Sequence, residues 1–128
     1  MTENEIGTVV VDSAIGIHRG LGPGLLESVY EVVLARVLVD RGLSVARQVQ
    51  VPICYLDLRF DEGFRADMIV GEKVIVELKA VECVLPVHLK QLQTYLKLAD
   101  LRLGYLLNFN EALMKDGITR SVNRLKEY

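Results

Sequence analysis

Between Phe64 and Ala80, apolar and polar residues alternate in two runs separated by Gly71-Glu72-Lys73. A period of two is that of a strand, so the stretch reads as a β-hairpin. Val74, Val76 and Leu78 fall on one face, and Ile75, Glu77 and Lys79 on the other. An isoleucine on the charged face implies a second covering layer, which puts Glu77 and Lys79 at its margin rather than in open water. With a three-residue loop, Val70 lies opposite Val74 and Asp67 lies opposite Glu77.

Helical periodicity predicts a helix from about Asn4 to Ile17, with Ile6, Val9, Val10, Ser13, Ala14 and Ile17 on one stripe. The glycines and proline between Arg19 and Gly24 end it. A second helix follows from about Gly24 to Arg41, its stripe Leu26, Val29, Val33 and Val37 widened by Leu34 and Leu38. Leu43 to Leu58 reads as an interrupted strand in which Pro52 marks an edge or a bulge, and Asp61-Glu62-Gly63 reads as the turn into the hairpin. Pro86 opens a third helix through about Leu98, with Leu89, Leu92, Leu96 and Ala99 inward. Leu103 to Phe109 suits a strand buried on both faces, Ile118 to Val122 a last strand, and Arg124 to Tyr128 a frayed end. The order is two helices, three strands, a helix and two strands, with no internal repeat or linker, so residues 1–128 read as one domain.

Composition narrows the classes. A chain of 128 residues that is 51% hydrophobic can bury a core without staples. There is no tryptophan and only three phenylalanines, so aliphatic packing dominates. No charged start leads into an apolar run and no window approaches a membrane span, so the expected place is the cytoplasm, with no membrane partner. Cys54 and Cys83 share no short metal-ligand spacing and are expected to be reduced and unpaired. The net charge of -2 does not advertise a nucleic-acid binder, although a local basic patch can defeat a global sum.

The chemistry concentrates on the hairpin. Carboxylates placed directly opposite repel and raise each other's pKa unless a cation lies between them. Magnesium or manganese fits such a pair, because hard divalent ions take oxygen ligands and let water or phosphate complete the shell. Lys79 on the same face would then orient an attacking water or offset charge on a phosphate. The alternative is an ordinary polar margin on an edge hairpin. Glu27, Tyr30 and Glu31 cluster within one turn of the second helix, where Glu27 either favours the helix N-terminus or adds a third carboxylate to the pair. Arg41, Arg47, Arg59 and Arg65 either meet a phosphate backbone or are scattered surface charges. His88, Gln91 and Tyr95 share one edge of the third helix, with His88 read as a solvent-facing residue near its start.

Asp67, followed ten residues later by Glu77-Leu78-Lys79, resembles the signature of the PD-(D/E)XK nuclease superfamily. Gly24-Leu25-Leu26-Glu27-Ser28-Val29-Tyr30 resembles the pattern that names the bacterial GxxExxY family, and the likeness extends from about Ile6 to Asn123, including Leu107-Asn108-Phe109. Gln91-Leu92-Gln93-Thr94-Tyr95 is similar to the glutamine and tyrosine motif of the RecB-like branch. The resemblance implies a restriction-endonuclease-like α/β fold with an αβββαβ core, a central mixed sheet flanked by helices. It further implies Asp67, Glu77 and Glu27 as ligands of Mg2+ or Mn2+, Lys79 serving the hydrolytic water, and Gln91, Tyr95 and Tyr30 as supporting or DNA-contacting residues. Ala66 stands where the motif has proline, a residue that shapes the strand rather than the chemistry. The implied activity is metal-dependent phosphodiester hydrolysis of DNA, on branched or processed ends, with a homodimer or a partner protein supplying grip. The alternative is a catalytically silent nuclease-like module that binds nucleic acid or a partner protein.

Overall fold

The computed structural model describes residues 1–126. In chain order they form α1 (Glu3–Leu21), α2 (Glu27–Asp40), β1 (Val45–Tyr55), β2 (Leu58–Val70), β3 (Val74–Lys79), α3 (Pro86–Ala99), β4 (Leu103–Asn108) and β5 (Ile118–Val122). One 3-10 turn, Met114–Gly117, precedes β5. Glu127 and Tyr128, the end of the stretch expected to fray, lie outside the described residues.

The strands form one sheet in the order β1-β2-β3-β4-β5, antiparallel except between β3 and β4. The parallel pair is connected through α3, because parallel neighbours need a crossover longer than a hairpin can supply. This is an α/β fold with a central mixed sheet flanked by helices, consistent with a restriction-endonuclease-like core. On one face, α1 and α2 pack Ile6, Val10, Ala14, Leu34 and Leu38 against Val70, Val74, Val76 and Leu78. On the other, Leu92 and Leu96 of α3 pack on Ile75 and Leu106. All six residues of β4 are buried, as an apolar run between two strands and two helix layers requires. The covering layer that Ile75 demanded is α3.

Three features differ from the sequence reading. Helix α1 starts where Thr2 and Glu5 cap each other, at 3.1 and 2.9 Å, and runs a turn beyond Ile17 until Gly22, at φ 75°, ends it. Helix α2 buries Tyr30, Glu31, Leu34 and Leu38, whereas Leu26 and Val29 are exposed and Val33 and Val37 only border the core. Valines at 29, 32, 33, 37 and 39 surround this helix, so counting apolar residues does not set its phase; the phenol of Tyr30 does.

The turn expected at Asp61-Glu62-Gly63 is instead part of β2. The chain reverses earlier, at Leu56 and Asp57, which have φ of 50° and 62° and leave Tyr55 opposite Leu58. A two-residue loop with both φ positive is normally filled by Asn-Gly, which is why Leu-Asp gave no turn signal. Gly63 remains glycine in a strand because a Cβ there would come within 2.5 Å of the Ile53 side chain. Pro52 does lie on an edge strand, at a register shift between Val51 and Ile53. β1 and β2 run on past β3 as a two-stranded arm, and Tyr55, Leu56, Leu58 and Phe60 are exposed on it. Cys54 and Cys83 are both free and exposed. Among the described residues no helix is long and apolar enough to cross a membrane.

Candidate functional site

The hairpin closes as its alternation dictates, with Val70 opposite Val74, Ile69 opposite Ile75 and Met68 opposite Val76. The ladder stops there. Its next position would pair Asp67 with Glu77, and side chains replace the backbone contacts: the Asp67 N–H donates to Glu77 Oε1 at 3.3 Å, and the Leu78 N–H donates to Asp67 Oδ2 at 3.0 Å. On its other side β2 pairs Met68 with Arg47 and Ala66 with Val49, passing over Asp67 and Gln48. Gln48, at φ 51°, is skipped by the ladder within β1, and its side chain donates to Glu31 Oε1 at 2.6 Å. Asp67 is thus the one residue between Phe64 and Val70 with no ladder partner on either side.

Glu77 is 8% exposed and its carboxyl is hydrogen-bonded to that of Asp67. Burial first, and then the hydrogen bond and charge of Asp67, push its pKa up to about 9, against the opposing pull of the Asp67 N–H and the Lys79 charge. At neutral pH the buried pair therefore keeps a proton on Glu77. An all-oxygen donor pair that holds a proton between its members suits a hard divalent ion in the proton's place. Among the described residues no group of three His, Cys, Asp or Glu side chains is arranged to hold a metal ion, so an ion on this pair would complete its shell with waters and substrate oxygens.

Lys79 is two residues beyond Glu77 on the same face, and forms no ion pair among the described residues. Its charge reaches both Glu77 and Glu27. Glu27 opens α2 with its carboxyl near the Ala80 N–H, which brings the helix start to the open end of β3. Burial raises the Glu27 pKa; Lys79 opposes this, while Asp67 and Glu31 add to it. Glu27 stands beside the pair without joining it in a three-ligand group.

The GxxExxY pattern has a clear local logic. Gly24 sits at φ 97°, which a side chain would strain, and lets α2 start at Glu27. Tyr30, fully buried, donates to the Gly22 carbonyl at 2.7 Å, accepts the Leu25 N–H at 3.1 Å, and stacks on Phe109 with ring centroids 4.4 Å apart. Of the two roles expected of Tyr30, it braces the loop; its burial keeps it from a nucleic-acid strand. The Leu107-Asn108-Phe109 segment completes the brace. Asn108 accepts the Val81 N–H at 3.1 Å and donates to the Val81 carbonyl at 2.9 Å, while the Phe109 N–H donates to the Lys79 carbonyl at 2.9 Å. Sequence reasoning missed this clamp on the chain leaving Lys79, although a buried-type strand ending in Asn-Phe was its signal.

On α3, Tyr95 stacks on Phe64 with centroids 4.1 Å apart, and its pKa is raised by burial and then by Glu77 and Asp67, so it borders the pair. Gln91, one turn earlier, is exposed, and its side chain makes no hydrogen bond among the described residues. His88 caps the helix start instead of facing the site, its Nδ1 accepting the Leu85 N–H at 3.0 Å. Three of the four arginines are committed: Arg47 to Glu31 at 2.7 Å, Arg41 to Asp12 at 2.9 Å and Arg59 to Asp61 at 2.9 Å. Arg65 forms no such pair among the described residues.

No curated protein and no solved structure matches the chain. A family model described as PD-(D/E)XK nuclease superfamily matches residues 4–121, the span that holds every residue of the hairpin end, its brace and its flanking helices. With that match over most of its length, the chain belongs to the PD-(D/E)XK nuclease superfamily, in its GxxExxY-related family.

Proposed function

We propose that this chain is a nuclease-like module that takes a nucleic-acid backbone at the open end of the β2–β3 hairpin, and that with magnesium or manganese the same end hydrolyses a phosphodiester of DNA. The observation that carries this reading is the Asp67–Glu77 pair, in which Asp67 is left out of the ladders on both its sides and its carboxyl meets that of a Glu77 that is largely buried, with its pKa pushed up to about 9. A glutamine would serve structure better than a buried carboxyl that must stay neutral, so its presence supports a second state in which a cation replaces the proton.

Asp67 and Glu77 would hold the ion, which when bound supplies charge neutralisation for a phosphate and lowers the pKa of water. The chain's own groups do the rest. Lys79 presents an ammonium on the same face, where it offsets charge on a phosphate oxygen and orients the attacking water by donating to it. Glu27 lies beside the backbone that follows Lys79, near the Ala80 N–H and within reach of the Lys79 charge. Tyr95, packed on Phe64, and exposed Gln91 border the strand path, with Arg65 as a further cation for the backbone. A second copy, meeting the chain through the exposed arm tip at Tyr55, Leu56, Leu58 and Phe60, would add grip and a second cutting end. Sedimentation that finds monomer alone, with and without DNA, contradicts that part.

Binding without cutting has its own support: no three-ligand group exists among the described residues, and the superfamily match speaks to fold rather than turnover. Single-stranded, duplex and branched DNA, incubated with magnesium, manganese or EDTA, separates the two. Cutting that needs metal and is lost in both Glu77→Gln and Lys79→Ala supports hydrolysis. Retention of DNA in a binding assay with no cutting in either metal leaves the silent module. Cutting that survives both substitutions overturns the assignment of these residues.

A further inference from the structure

We propose that the cleft between the C-terminal turn of α1 and residues 112–115 binds a small organic anion, one with an apolar body and a single anionic group. The cleft has a volume of about 580 Å³, and none of Glu27, Asp67, Glu77 or Lys79 lines it. That size is within the range of about 300–1,000 Å³ typical of small-molecule sites. Ile15, Leu113 and Met114 give it an aliphatic lining, and Leu113 is left 56% exposed.

The charged groups are of one sign. Arg19 and Lys115 line the cleft, no acidic residue does, and neither cation has an ion-pair partner among the described residues. The carbonyl end of α1 opposes an anion with roughly half a charge, which two full charges outweigh.

The walls are fixed before a ligand arrives. His18, buried, holds the Glu111 carbonyl at 2.8 Å through Nε2 and so ties residues 112–115 to α1. Gly22 and Pro23 form the opposite wall, and the Gly22 carbonyl is held by the Tyr30 hydroxyl. A preformed apolar cleft lined by two cations recognises both parts of an amphipathic anion; either part alone gains only half the contacts.

Calorimetric titration at pH 7 with naphthalene-2-sulfonate, inorganic sulfate and 2-naphthol tests this, using the parent and an Arg19→Gln/Lys115→Gln double variant. Both substituted side chains are on the surface, and an unchanged melting curve establishes that the variant is folded. The proposal expects the sulfonate to bind the parent at one site, at least about ten-fold more tightly than sulfate or naphthol, and to lose about ten-fold or more in the double variant. Equal binding of naphthol would make the cleft merely apolar, and equal binding of sulfate would make it a plain anion patch; each overturns the proposal. So does sulfonate binding that the double variant leaves intact, which would place the ligand elsewhere, such as the exposed arm tip, and so does an absence of sulfonate binding.

Discussion

Replacing Glu77 with glutamine should make the protein more stable at neutral and alkaline pH. The carboxyl is largely buried and its pKa stands at about 9, against an ordinary 4.5. Below pH 4.5 the group is protonated in both the folded and unfolded chain, and its contribution is fully present. As the pH rises towards 9, unfolding releases a proton that the fold retains, and the parent loses about 1.4 kcal/mol of stability per pH unit. By pH 7 that loss is on the order of 3 kcal/mol. The introduced amide would donate its N–H to the Asp67 carboxylate and still accept the Asp67 N–H, so the substitution keeps both hydrogen bonds and removes the titration. Urea unfolding from pH 4 to 9 reads this directly. The parent curve should descend with pH more steeply than the variant curve, which keeps only the slope left by groups such as Glu27 whose pKa is also raised, and the two should meet near pH 4. Magnesium at about a hundred times its dissociation constant should return about 2.7 kcal/mol to the parent at pH 8 and nothing to the variant. Parallel pH curves, or a variant less stable than the parent throughout, would refute the reasoning.

The brace around the site yields two further expectations. Tyr30→Phe keeps the stack on Phe109 but leaves the Gly22 carbonyl and the Leu25 N–H unpaired, and should cost about 1 to 3 kcal/mol in urea unfolding. No loss would mean the hydroxyl does not hold the loop. Asn108→Leu removes the contacts to both backbone groups of Val81 and to the Asn110 N–H from a wholly buried position, and should cost about 2 to 4 kcal/mol with faster amide exchange at Val81. A stable variant with unchanged exchange would show that this clamp is dispensable.

Where chemistry and local pattern coincide, the sequence was enough. The alternation on either side of Gly71-Glu72-Lys73 placed Val70 opposite Val74, and that register carries Asp67 to Glu77 without any knowledge of the rest of the chain. Ile118–Val122 likewise emerged from alternation behind Asp116-Gly117. The phase of α2 did not, because its valines surround the helix and the deciding contacts of Tyr30 lie in the preceding loop and at Phe109, far along the chain. The same holds for Asn108, whose partner Val81 lies across the α3 crossover. The excursion of Gln48 towards Glu31, which leaves Asp67 without a partner on that side, depends on a helix–strand contact that no period announces. Leu56-Asp57 shows the converse: the pairing of β1 with β2 closes through a turn that its residues do not advertise.

Titration of manganese into the folded protein at pH 8, followed by electron paramagnetic resonance of the free ion, tests the central claim most directly. The account predicts one bound ion per chain, displaced by magnesium, weakened as the pH falls and Glu77 takes up its proton, and lost in Asp67→Asn and in Glu77→Gln. A folded parent that binds no manganese at millimolar concentration with DNA present, or that binds it equally well after either substitution, would contradict it.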